Sequence, residues 1–401
     1  MKILYVAAGI PVPGTLGGST HAYAVAHGLA QLGHEVHLVA ASHEGWSGLA
    51  PLARPLSSRH DGFHLHHQDL PKALSLLGAP VVLRLAQAIR PAVVMERYYN
   101  FAGAGLLAAR RLGVPALLEV NALIVDPPAV RKRRLDDALG SPLRRWAEWQ
   151  CRTAGAIVTP LHTTVPPAIP RAKIVELPWG AEVERFAAVA AAREARLPNV
   201  SGPQTVVFMG SFRAWHGVTA FVRAALLLLG QGRDLRFTLI GDGPERHAAE
   251  TLAAPHAGRF TFTGAVPYAA IPALLAEADI GVAPFTTAPH PALRAAGFFW
   301  SPLKVYEYMA AGLPVVTPAI PPLHTVVRDG CEGALYPEGD VPALAAAVAR
   351  LLDDRAAARV MGRAARARVV AHYSWLQHCE ALERILRGMT CDPDAQGFPL
   401  R

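Results

Sequence analysis

The feature that most constrains the fold is a regular alternation of short apolar runs with segments of helical period. The first third of the chain contains the apolar runs KILYVAA, HEVHLVAA, AVVMER, ALLEV and AIVTP. Strands that are apolar throughout, with helices between them, indicate a parallel sheet covered on both faces. Gly33 and Gly113 each stand between a helix and a strand, where a left-handed helix C-cap is expected. We therefore predict a doubly wound α/β domain.

The same alternation restarts after residue 200, with the runs TVVFMG, LRFTLIG, RFTFTG, DIGVAPF and PVVTP. The segment ahead of it ends in LPNVSGPQ, which has no strand pattern and has the composition of a linker. We place the domain boundary near Arg185 and predict two Rossmann-like domains, over residues 1–185 and 186–370. The helix and tail of residues 371–401 are predicted to pack back on the first domain.

Composition narrows the class of partner and of compartment. A net charge of +8 and a pI near 9.6 favour anionic partners: nucleotides, phosphorylated carriers, an anionic lipid surface or nucleic acid. The cysteines show no CxxC pair or metal-ligand spacing, which favours a reduced, cytoplasmic location. KILYVAAG is too short for the apolar core of a signal peptide, and apolar runs such as AALLLLG are shorter than a spanning helix. Any membrane contact is therefore expected to be peripheral.

The segment SPLKVYEYMAAG carries the strongest sequence signal for an anion site. Ser301 is predicted to cap a helix, and Pro302 fits its first position. The N–H groups of Leu303 and Lys304 would then point out of the first turn with the positive end of the helix dipole. Glu307, on the same face as Lys304, suits the hydroxyls of a ribose. The alternative is an ordinary surface Lys–Glu pair.

Three strand ends in the second half finish in glycine turns. FMGSFRAWHGV runs from a strand through a loop with Arg213 and His216 into a helix, and LIGDGPE and FTGAVP are two further ends. Ligands of open α/β sheets bind at the carboxyl ends of the strands. Gly241, in LIGDGPE, is a position where backbone or a flat ring can approach closely. These ends and the helix at Lys304 together favour a ligand site.

With these motifs in place, the chain resembles the retaining glycosyltransferases of the GT-B fold, family 4. The resemblance rests on the ordered set GGSTHAYAVAHGLAQLGHEV, LPWGAEVERF, GSFRAWHGV, IGDGPE, ADIGVAPF and SPLKVYEYMAAGLPVV. It implies two Rossmann-like domains facing a cleft, without a cofactor or a bound metal ion. It also implies a UDP- or GDP-sugar donor bound mainly by the C-terminal domain. A glycan, lipid-linked or small-molecule acceptor would bind mainly to the N-terminal domain.

The resemblance also implies roles for individual residues. Glu307 matches the second Glu of the family's E-x7-E motif, Gly17 and Gly18 match its glycine loop, and Asn121 stands where many members carry a His near the transferred sugar. The predicted donor site consists of Gly17, Gly18, Ser211, Gly241, Ser301, Pro302, Leu303, Lys304, Val305 and Glu307. The predicted catalytic residues are Arg213, His216, Lys304 and Asn121.

The chain departs from the family pattern at three positions. Phe299 replaces the first Glu of the E-x7-E motif, Ser211 replaces the usual Arg, and His216 replaces the usual Lys. We expect Lys304 to supply phosphate-binding charge that this loop has lost. Departure of the diphosphate builds up negative charge, so fixed cations and N–H groups aimed there would do most of the catalytic work. The resemblance implies retention of the anomeric configuration, with the leaving phosphate accepting the proton of the acceptor.

Two further regions are open to two interpretations each. His21 and Glu119 are predicted to face the acceptor, but a surface histidine and a solvated strand end would give the same pattern. Residues 131–149 carry six basic residues and the pair Trp146 and Trp149, which suits an anionic lipid surface. They equally suit a solvated helix whose tryptophans face the core. The chain shows no nucleic-acid recognition motif.

Other functions are less well matched. A nucleotide-sugar epimerase or a phosphorylase on the same scaffold would need acid–base carboxylates or a cofactor lysine, and no convincing set is present. An exported sugar-binding protein does not fit the start of the chain. AAGIPVPGTLGG lacks the GxGxxG spacing of a dinucleotide-dependent oxidoreductase.

Overall fold

The computed structural model describes residues 1–14, 17–43, 56–195 and 202–391. The chain forms two compact units. Unit 1 comprises Met1–Trp179, Phe299–Ser301 and the chain from Trp375; unit 2 comprises Gly180–Phe298 and Pro302–Ser374. The boundary lies six residues ahead of Arg185, and the chain returns to unit 1 at Trp375 rather than at residue 371. The three residues Phe299–Ser301, placed by the sequence in the second domain, belong to unit 1.

Unit 1 is built on an eight-stranded sheet. Its strands are β1 (Lys2–Pro11), β2 (Glu35–Ala41), β3 (Leu56–His60), β4 (Phe63–His67), β5 (Val93–Arg97), β6 (Ala116–Glu119), β7 (Ala156–Thr159) and β8 (Ile174–Glu176), in the order β3-β4-β2-β1-β5-β6-β7-β8. All neighbouring pairs are parallel except the β3–β4 hairpin. The strand order reverses between β1 and β5, which is where such a sheet binds ligands.

Helices cover both faces of this sheet. They are α1 (Gly17–Gln31), α2 (Ala79–Ile89), α3 (Ala104–Leu112), α4 (Arg131–Ala138) and α5 (Pro142–Thr153). Gly33 and Gly113 have φ of +85° and +69°, as predicted for left-handed positions after helices. Glu96, fully buried in β5, accepts hydrogen bonds from the N–H groups of Gly103, Gly105 and Leu106 at the start of α3. A buried carboxylate thus caps this helix.

One segment of unit 1 passes a simple test for a membrane span. Residues Lys72–Ile89 are long and apolar enough by length and composition alone, and the sequence analysis did not single them out. In the structure they form a 3₁₀ segment, Lys72–Gly78, followed by α2. Val81, Val82 and Ala86 of α2 are buried. This burial fits a helix packed on the sheet.

Unit 2 is built on a six-stranded, all-parallel sheet. Its strands are β9 (Gln204–Met209), β10 (Leu235–Ile240), β11 (Phe260–Gly264), β12 (Ile280–Val282), β13 (Val315–Pro318) and β14 (Gly333–Tyr336), in the order β11-β10-β9-β12-β13-β14. The strand order reverses between β9 and β12. The core on one face contains edge-to-face aromatic pairs, including Phe208 with Phe212 and Phe221 with Phe237.

The helices of unit 2 are α6 (Ala187–Ala195), α7 (Val218–Gly230), α8 (Arg246–Ala253), α9 (Ile271–Ala276), α10 (Pro291–Ala296), α11 (Leu303–Ala310), α12 (Leu323–Val326), α13 (Val341–Asp353) and α14 (Arg355–His372). Asp340 and Asp354 cap α13 and α14 by accepting hydrogen bonds from Ala343 and Ala357. The predicted second doubly wound domain is therefore present.

The last helix, α15 (Trp375–Cys391), packs on α1 of unit 1. The contact is close, because a Cβ at Gly28 would lie 2.5 Å from Sγ of Cys379. Leu382 and Leu386 are buried in the same core as β1 and β2. The prediction that the C-terminal helix returns to the first domain is confirmed.

Candidate functional site

Lys304 lies where the strand order of unit 2 reverses. Its Nζ is 4.4 Å from the ring centre of Phe208, on β9, and 4.7 Å from that of Phe285, which follows β12. The residue is only 6% exposed. Among the described carboxylates, only Glu307 acts on its charge. A cation buried between aromatic rings at such a point is suited to hold an anion.

The protonation of Lys304 is coupled to its surroundings. Burial lowers the pKa of Lys304 to about 7, and Glu307 offsets only part of that shift. Burial and the charge of Lys304 together lower the pKa of His216 well below its usual range. Nζ of Lys304 lies 3.4 Å from Nδ1 of His216, so the charged lysine can donate to the neutral imidazole. A bound phosphate would favour the charged form of the lysine.

Two glycines at strand ends make this arrangement possible. Gly210 follows β9 with φ +135°, and a Cβ there would lie 2.9 Å from Nζ of Lys304. Gly241 follows β10 with φ +128°, and a Cβ there would lie 2.0 Å from the carbonyl oxygen of Gly210. The close approach predicted at Gly241 is therefore made by the neighbouring backbone, which occupies the space that a donor ring would need.

The loop after Gly210 presents the other predicted phosphate ligands. Oγ of Ser211 lies 3.3 Å from Nδ1 of His216. Arg213 is exposed, and its guanidinium carbon stands 5.3 Å from the ring centre of Trp215. His216 and Lys304, predicted from separate motifs, are thus in contact, and Arg213 adds a solvent-accessible charge on the same loop.

Glu307 has a partner that the sequence analysis missed. The hydroxyl of Tyr268 donates to Oε1 of Glu307 at 2.8 Å, and the guanidinium carbon of Arg185 stands 4.6 Å from the Tyr268 ring centre. Glu307 is 9% exposed, and burial raises its pKa to about 7. Tyr268 precedes Glu307 by 39 residues, and no local pattern links the two. The tyrosine fixes the carboxyl group that was predicted to bind a ribose.

The start of α11 corrects two predictions. The helix begins at Leu303, Pro302 is its N-cap residue, and no side chain caps it. The hydroxyl of Ser301 accepts a hydrogen bond from the backbone N–H of Trp179 at 3.0 Å. Ser301 as the cap is wrong, because its hydroxyl is paired with Trp179 instead. Pro302 as the first helical residue is wrong, because the proline is itself the N-cap residue.

A third correction concerns Val305. Its side chain is fully buried, and its N–H donates to the carbonyl of Pro302 at 2.8 Å. Neither group is left for a donor molecule. The N–H groups of Leu303 and Lys304 belong to the first turn, where no earlier carbonyl of the helix can pair with them. The predicted anion site at this turn thus reduces to these two amides and the Lys304 side chain.

Unit 1 holds a buried polar network at the carboxyl ends of β5 and β6. Oε1 of Glu119 accepts from Nη1 of Arg97 at 3.1 Å and from Nδ2 of Asn121. Oε2 of Glu119 accepts from the hydroxyl of Tyr5 at 2.5 Å. Glu119 is 4% exposed. It is therefore not the solvated strand end of the alternative interpretation, but its oxygens are already occupied by protein donors.

His21 lies inside the same network. Its Nδ1 lies 2.9 Å from Nη1 of Arg97 and 3.1 Å from Oε1 of Glu119. Burial, followed by the charges of Arg97 and His378, lowers the pKa of His21 well below its usual range. Nε2 is buried and has no hydrogen-bond partner within the described residues. His21 is not the surface histidine of the alternative interpretation.

Trp179 joins His21 to Asn121. Its ring centre lies 4.4 Å from that of His21, and its Nε1–H donates to Oδ1 of Asn121 at 2.6 Å. Asn121 is half-buried, and both the oxygen and the nitrogen of its side-chain amide are hydrogen-bonded.

Phe299, in place of the first Glu of the E-x7-E motif, is 2% exposed. A carboxylate is thus replaced by a buried apolar ring.

Gly17 and Gly18 begin α1 with only ordinary van der Waals contacts to the described residues. A Cβ at Gly17 would lie 3.8 Å from the nearest described atom, in Trp179. A Cβ at Gly18 would lie 3.7 Å from the nearest described atoms, in Arg97 and Ile10. The described part of unit 1 therefore does not require glycine at either position. A requirement imposed by a ligand would account for them.

The basic stretch 131–149 forms α4 and the start of α5. The rings of Trp146 and Trp149 stack with centres 4.5 Å apart, and Nε1–H of Trp146 donates to the carbonyl of Ala102 at 2.8 Å. Trp149 packs against the core of unit 1. The tryptophans thus face the protein, which is the second of the two interpretations given above.

One group of possible metal ligands occurs among the described residues. It consists of Glu35, His37 and His64, on β2 and β4 of unit 1. These residues were not singled out by the sequence analysis, which looked for metal sites only in the cysteine spacing. They lie at the opposite side of β1 from the network around Glu119.

Comparisons with known proteins assign the family. A model described as Glycosyltransferase Family 4 matches residues 16–165, and one described as Glycosyl transferases group 1 matches residues 203–354. A 2-deoxystreptamine glucosyltransferase of Streptomyces kanamyceticus is 31% identical over 272 residues, 63% of this chain and 65% of the relative. The chain thus spans just under two thirds of that relative. An alpha-D-kanosaminyltransferase of the same organism is 26% identical over 68% of this chain and 72% of the relative.

A solved structure gives the fold. The structure of Anabaena HepE in complex with UDP is similar with a TM-score of 0.67 and 16% identity, covering 97% of this chain and 100% of that one. The two parallel-sheet domains are those of the GT-B fold, as predicted. With one model matched in each half and the fold in common, this chain belongs to the group 1 glycosyltransferases of family 4.

Proposed function

We propose that the chain is a retaining glycosyltransferase that moves a hexose-type sugar from a UDP- or GDP-sugar to an acceptor without a metal ion. The observation that carries this proposal is the position of Lys304, which is buried beside neutral His216 where the strand order of unit 2 reverses. Burial there lowers the pKa of Lys304 to about 7. A lysine held in this state is stabilised when an anion binds beside it. A diphosphate leaving group is such an anion.

The donor site is proposed as follows. Lys304, the amides of Leu303 and Lys304, and exposed Arg213 would bind the diphosphate. Glu307, oriented by Tyr268, would accept hydrogen bonds from the ribose hydroxyls. As the glycosidic bond breaks, negative charge grows on the diphosphate, so cations fixed beside it stabilise the transition state more than the ground state. These side chains supply the charge that a metal ion would otherwise supply.

The acceptor is proposed to meet unit 1. His21, Arg97 and Glu119 contact one another within unit 1, so they would position neighbouring residues rather than bind the acceptor directly. Asn121 and Trp179 are the half-buried members of this network. The name of the 2-deoxystreptamine glucosyltransferase supports a small-molecule acceptor, one of the three classes expected from the sequence. A cytoplasmic location is proposed from the sequence alone.

A thermal-shift panel of UDP, GDP and other nucleoside diphosphates tests the donor proposal. The preferred nucleotide should raise the melting temperature of the chain. Lys304→Ala should abolish most of that shift, whereas Arg144→Ala, which removes a partly exposed arginine paired with Asp137, should leave it unchanged. Equal small effects of the two variants, or no shift with any nucleotide, would discard the proposal. EDTA should not reduce the shift or the transfer rate.

The stereochemical outcome is tested on the product. Transfer from an α-linked nucleotide sugar should give an α-glycoside, detected by the proton coupling constant of the anomeric position. Formation of a free epimer in the absence of any acceptor would instead assign the chain to the nucleotide-sugar epimerases.

A further inference from the structure

An edge region of the unit 1 sheet carries a cluster of histidines that the transferase chemistry does not use. Strands β2 and β4 are parallel neighbours, and their register pairs His37 with His64. Side chains two residues apart on a strand share a face, so Glu35 joins His37 and His66 joins His64. One face of the two strands therefore presents three imidazoles and a carboxylate side by side.

Three of these side chains lie close together. One ligand atom each of Glu35, His37 and His64 lies within 4.8 Å of the other two. Nε2 of His37 is 3.1 Å from Oε1 of Glu35, and the rings of His37 and His64 stack with centres 4.5 Å apart. The Glu35 side chain is 44% exposed, whereas that of His37 is 8% exposed. The group is thus held from below by the sheet and open to solvent at the carboxylate.

Behind His37 runs a hydrogen-bonded chain. Nδ1 of His37 lies 3.0 Å from Nε2 of His66, and Nδ1 of His66 lies 2.8 Å from the hydroxyl of Ser57 on β3. Each of these hydrogen bonds can be formed in either direction, because every atom in the chain can act as donor or as acceptor. In one direction the chain ends in a proton on Nε2 of His37 that is donated to Glu35. In the other direction Nδ1 of His37 is the donor, and Nε2 has a lone pair facing Glu35.

The second arrangement is the one a metal ligand requires. A coordinating histidine binds through one nitrogen and donates its other N–H to a partner, which fixes the tautomer. Here His66 and Ser57 supply that partner.

We propose that Glu35, His37 and His64 bind one divalent transition-metal ion of the zinc class, with His66 and Ser57 as the supporting shell. Two imidazoles and a carboxylate form a recurrent ligand set for zinc, with water at the open position. The ion would link β2 to β4 within unit 1, on the other side of β1 from the network around Glu119. Nζ of Lys2, 3.5 Å from Glu35, is the cation that the metal displaces.

Isothermal titration of the tag-free, EDTA-treated chain with Zn²⁺ tests this site. We expect one equivalent to bind and to raise the melting temperature. His66→Ala should weaken binding by about 10- to 100-fold, and His64→Ala by more, because it removes a ligand rather than its support. Lys2→Gln should strengthen binding, since it removes the competing charge. Addition of Co²⁺ should give the visible absorption of a low-coordinate N/O site, lost in His64→Ala.

The matched control is His162→Ala. Nδ1 of His162 lies 2.5 Å from Oε1 of Glu176, so the two residues form another His–carboxylate pair. Within the described residues, no third metal ligand accompanies this pair. Zinc binding should be unchanged in this variant. The proposal is overturned if the chain binds no Zn²⁺ at 100-fold molar excess, or if His64→Ala and His162→Ala reduce binding equally. Circular dichroism of each variant in EDTA separates loss of a ligand from loss of the fold.

Discussion

Binding of a nucleoside diphosphate should be accompanied by uptake of a proton at Lys304. Burial lowers the pKa of this lysine to about 7, so at pH 8 about nine tenths of the unliganded molecules hold it neutral. A diphosphate placed beside it favours the charged form. Because the unliganded form must first gain a proton, affinity should be full below pH 7 and should fall as the pH rises above it.

The size of the change in proton uptake and in affinity follows from the change in the pKa of Lys304 on binding. If the diphosphate returns the pKa to its ordinary value of about 10.5, binding at pH 8 takes up about 0.9 proton per molecule. The dissociation constant should rise by close to tenfold for each pH unit above 7, and by about 100-fold between pH 6 and pH 9. His216 adds nothing to this uptake, because its own pKa lies far below the range and it stays neutral.

Calorimetry in buffers of different ionisation enthalpy measures the proton count directly. The preferred nucleotide is titrated at pH 8 in phosphate, HEPES and Tris, and the slope of observed enthalpy against buffer enthalpy gives the number of protons. Lys304→Arg is the control, since a guanidinium stays charged and should reduce the uptake to near zero. Zero uptake in the native chain, or an equal uptake in Lys304→Arg, would refute the reasoning.

Four further predictions concern single residues. Gly18→Ala should fold normally, because its Cβ would meet nothing closer than 3.7 Å, yet should lose at least about tenfold in donor affinity by calorimetry; unchanged affinity would remove Gly18 from the donor site. Gly241→Ala should lower the free energy of unfolding by at least about 2 kcal/mol in urea titrations, because φ is +128° and its Cβ would meet the Gly210 carbonyl. Tyr268→Phe should cost about 1–2 kcal/mol of stability, because the buried Glu307 loses its donor; a stability equal to that of the native chain would mean that water replaces the hydroxyl. Because the pKa of Glu307 is raised to about 7 in the folded chain, its contribution to stability is complete below about pH 4.5 and is lost as the pH rises through 7. Glu307→Gln should therefore be more stable than the native chain at pH 8, by about 2–3 kcal/mol. Chemical denaturation at several pH values would measure this difference.

Much of the fold was predictable because buried parallel strands carry their own signal. The strands β1, β2, β9 and β10 are apolar runs that the sequence marks clearly. Strand β3, with the sequence LSSRH, is mostly exposed, and among the described strands it pairs with β4 alone. No apolar alternation marks such a strand, and it was not predicted. Its existence depends on the partner strand rather than on its own residues.

The residues of the candidate site also fall into those that local motifs mark and those that only long-range contacts reveal. Lys304, His216 and Glu307 follow from motifs whose spacing is local. Tyr268, Arg97 and Trp179 were missed, because each meets its partner only after strands distant in the chain have come together. The Ser301 cap failed for a related reason: its hydroxyl has a choice of donors, and the one that it pairs with, the amide of Trp179, lies 122 residues earlier. The residues around Ser301 in the sequence give no information on a hydrogen-bond partner so far away in the chain.

The helix α15 has a consequence for how the protein is made. Residues Trp375–Cys391 complete the core around α1, but they are synthesised after the strands of both sheets. Until then the part of this core that Cys379, Leu382 and Leu386 fill beside Gly28 is open, even though the eight strands of the unit 1 sheet have been synthesised. The first-made half of the polypeptide must therefore wait, incompletely folded, through the synthesis of the whole second sheet. In the cell, a ribosome stalled before codon 375 would release a chain prone to aggregate or to recruit chaperones.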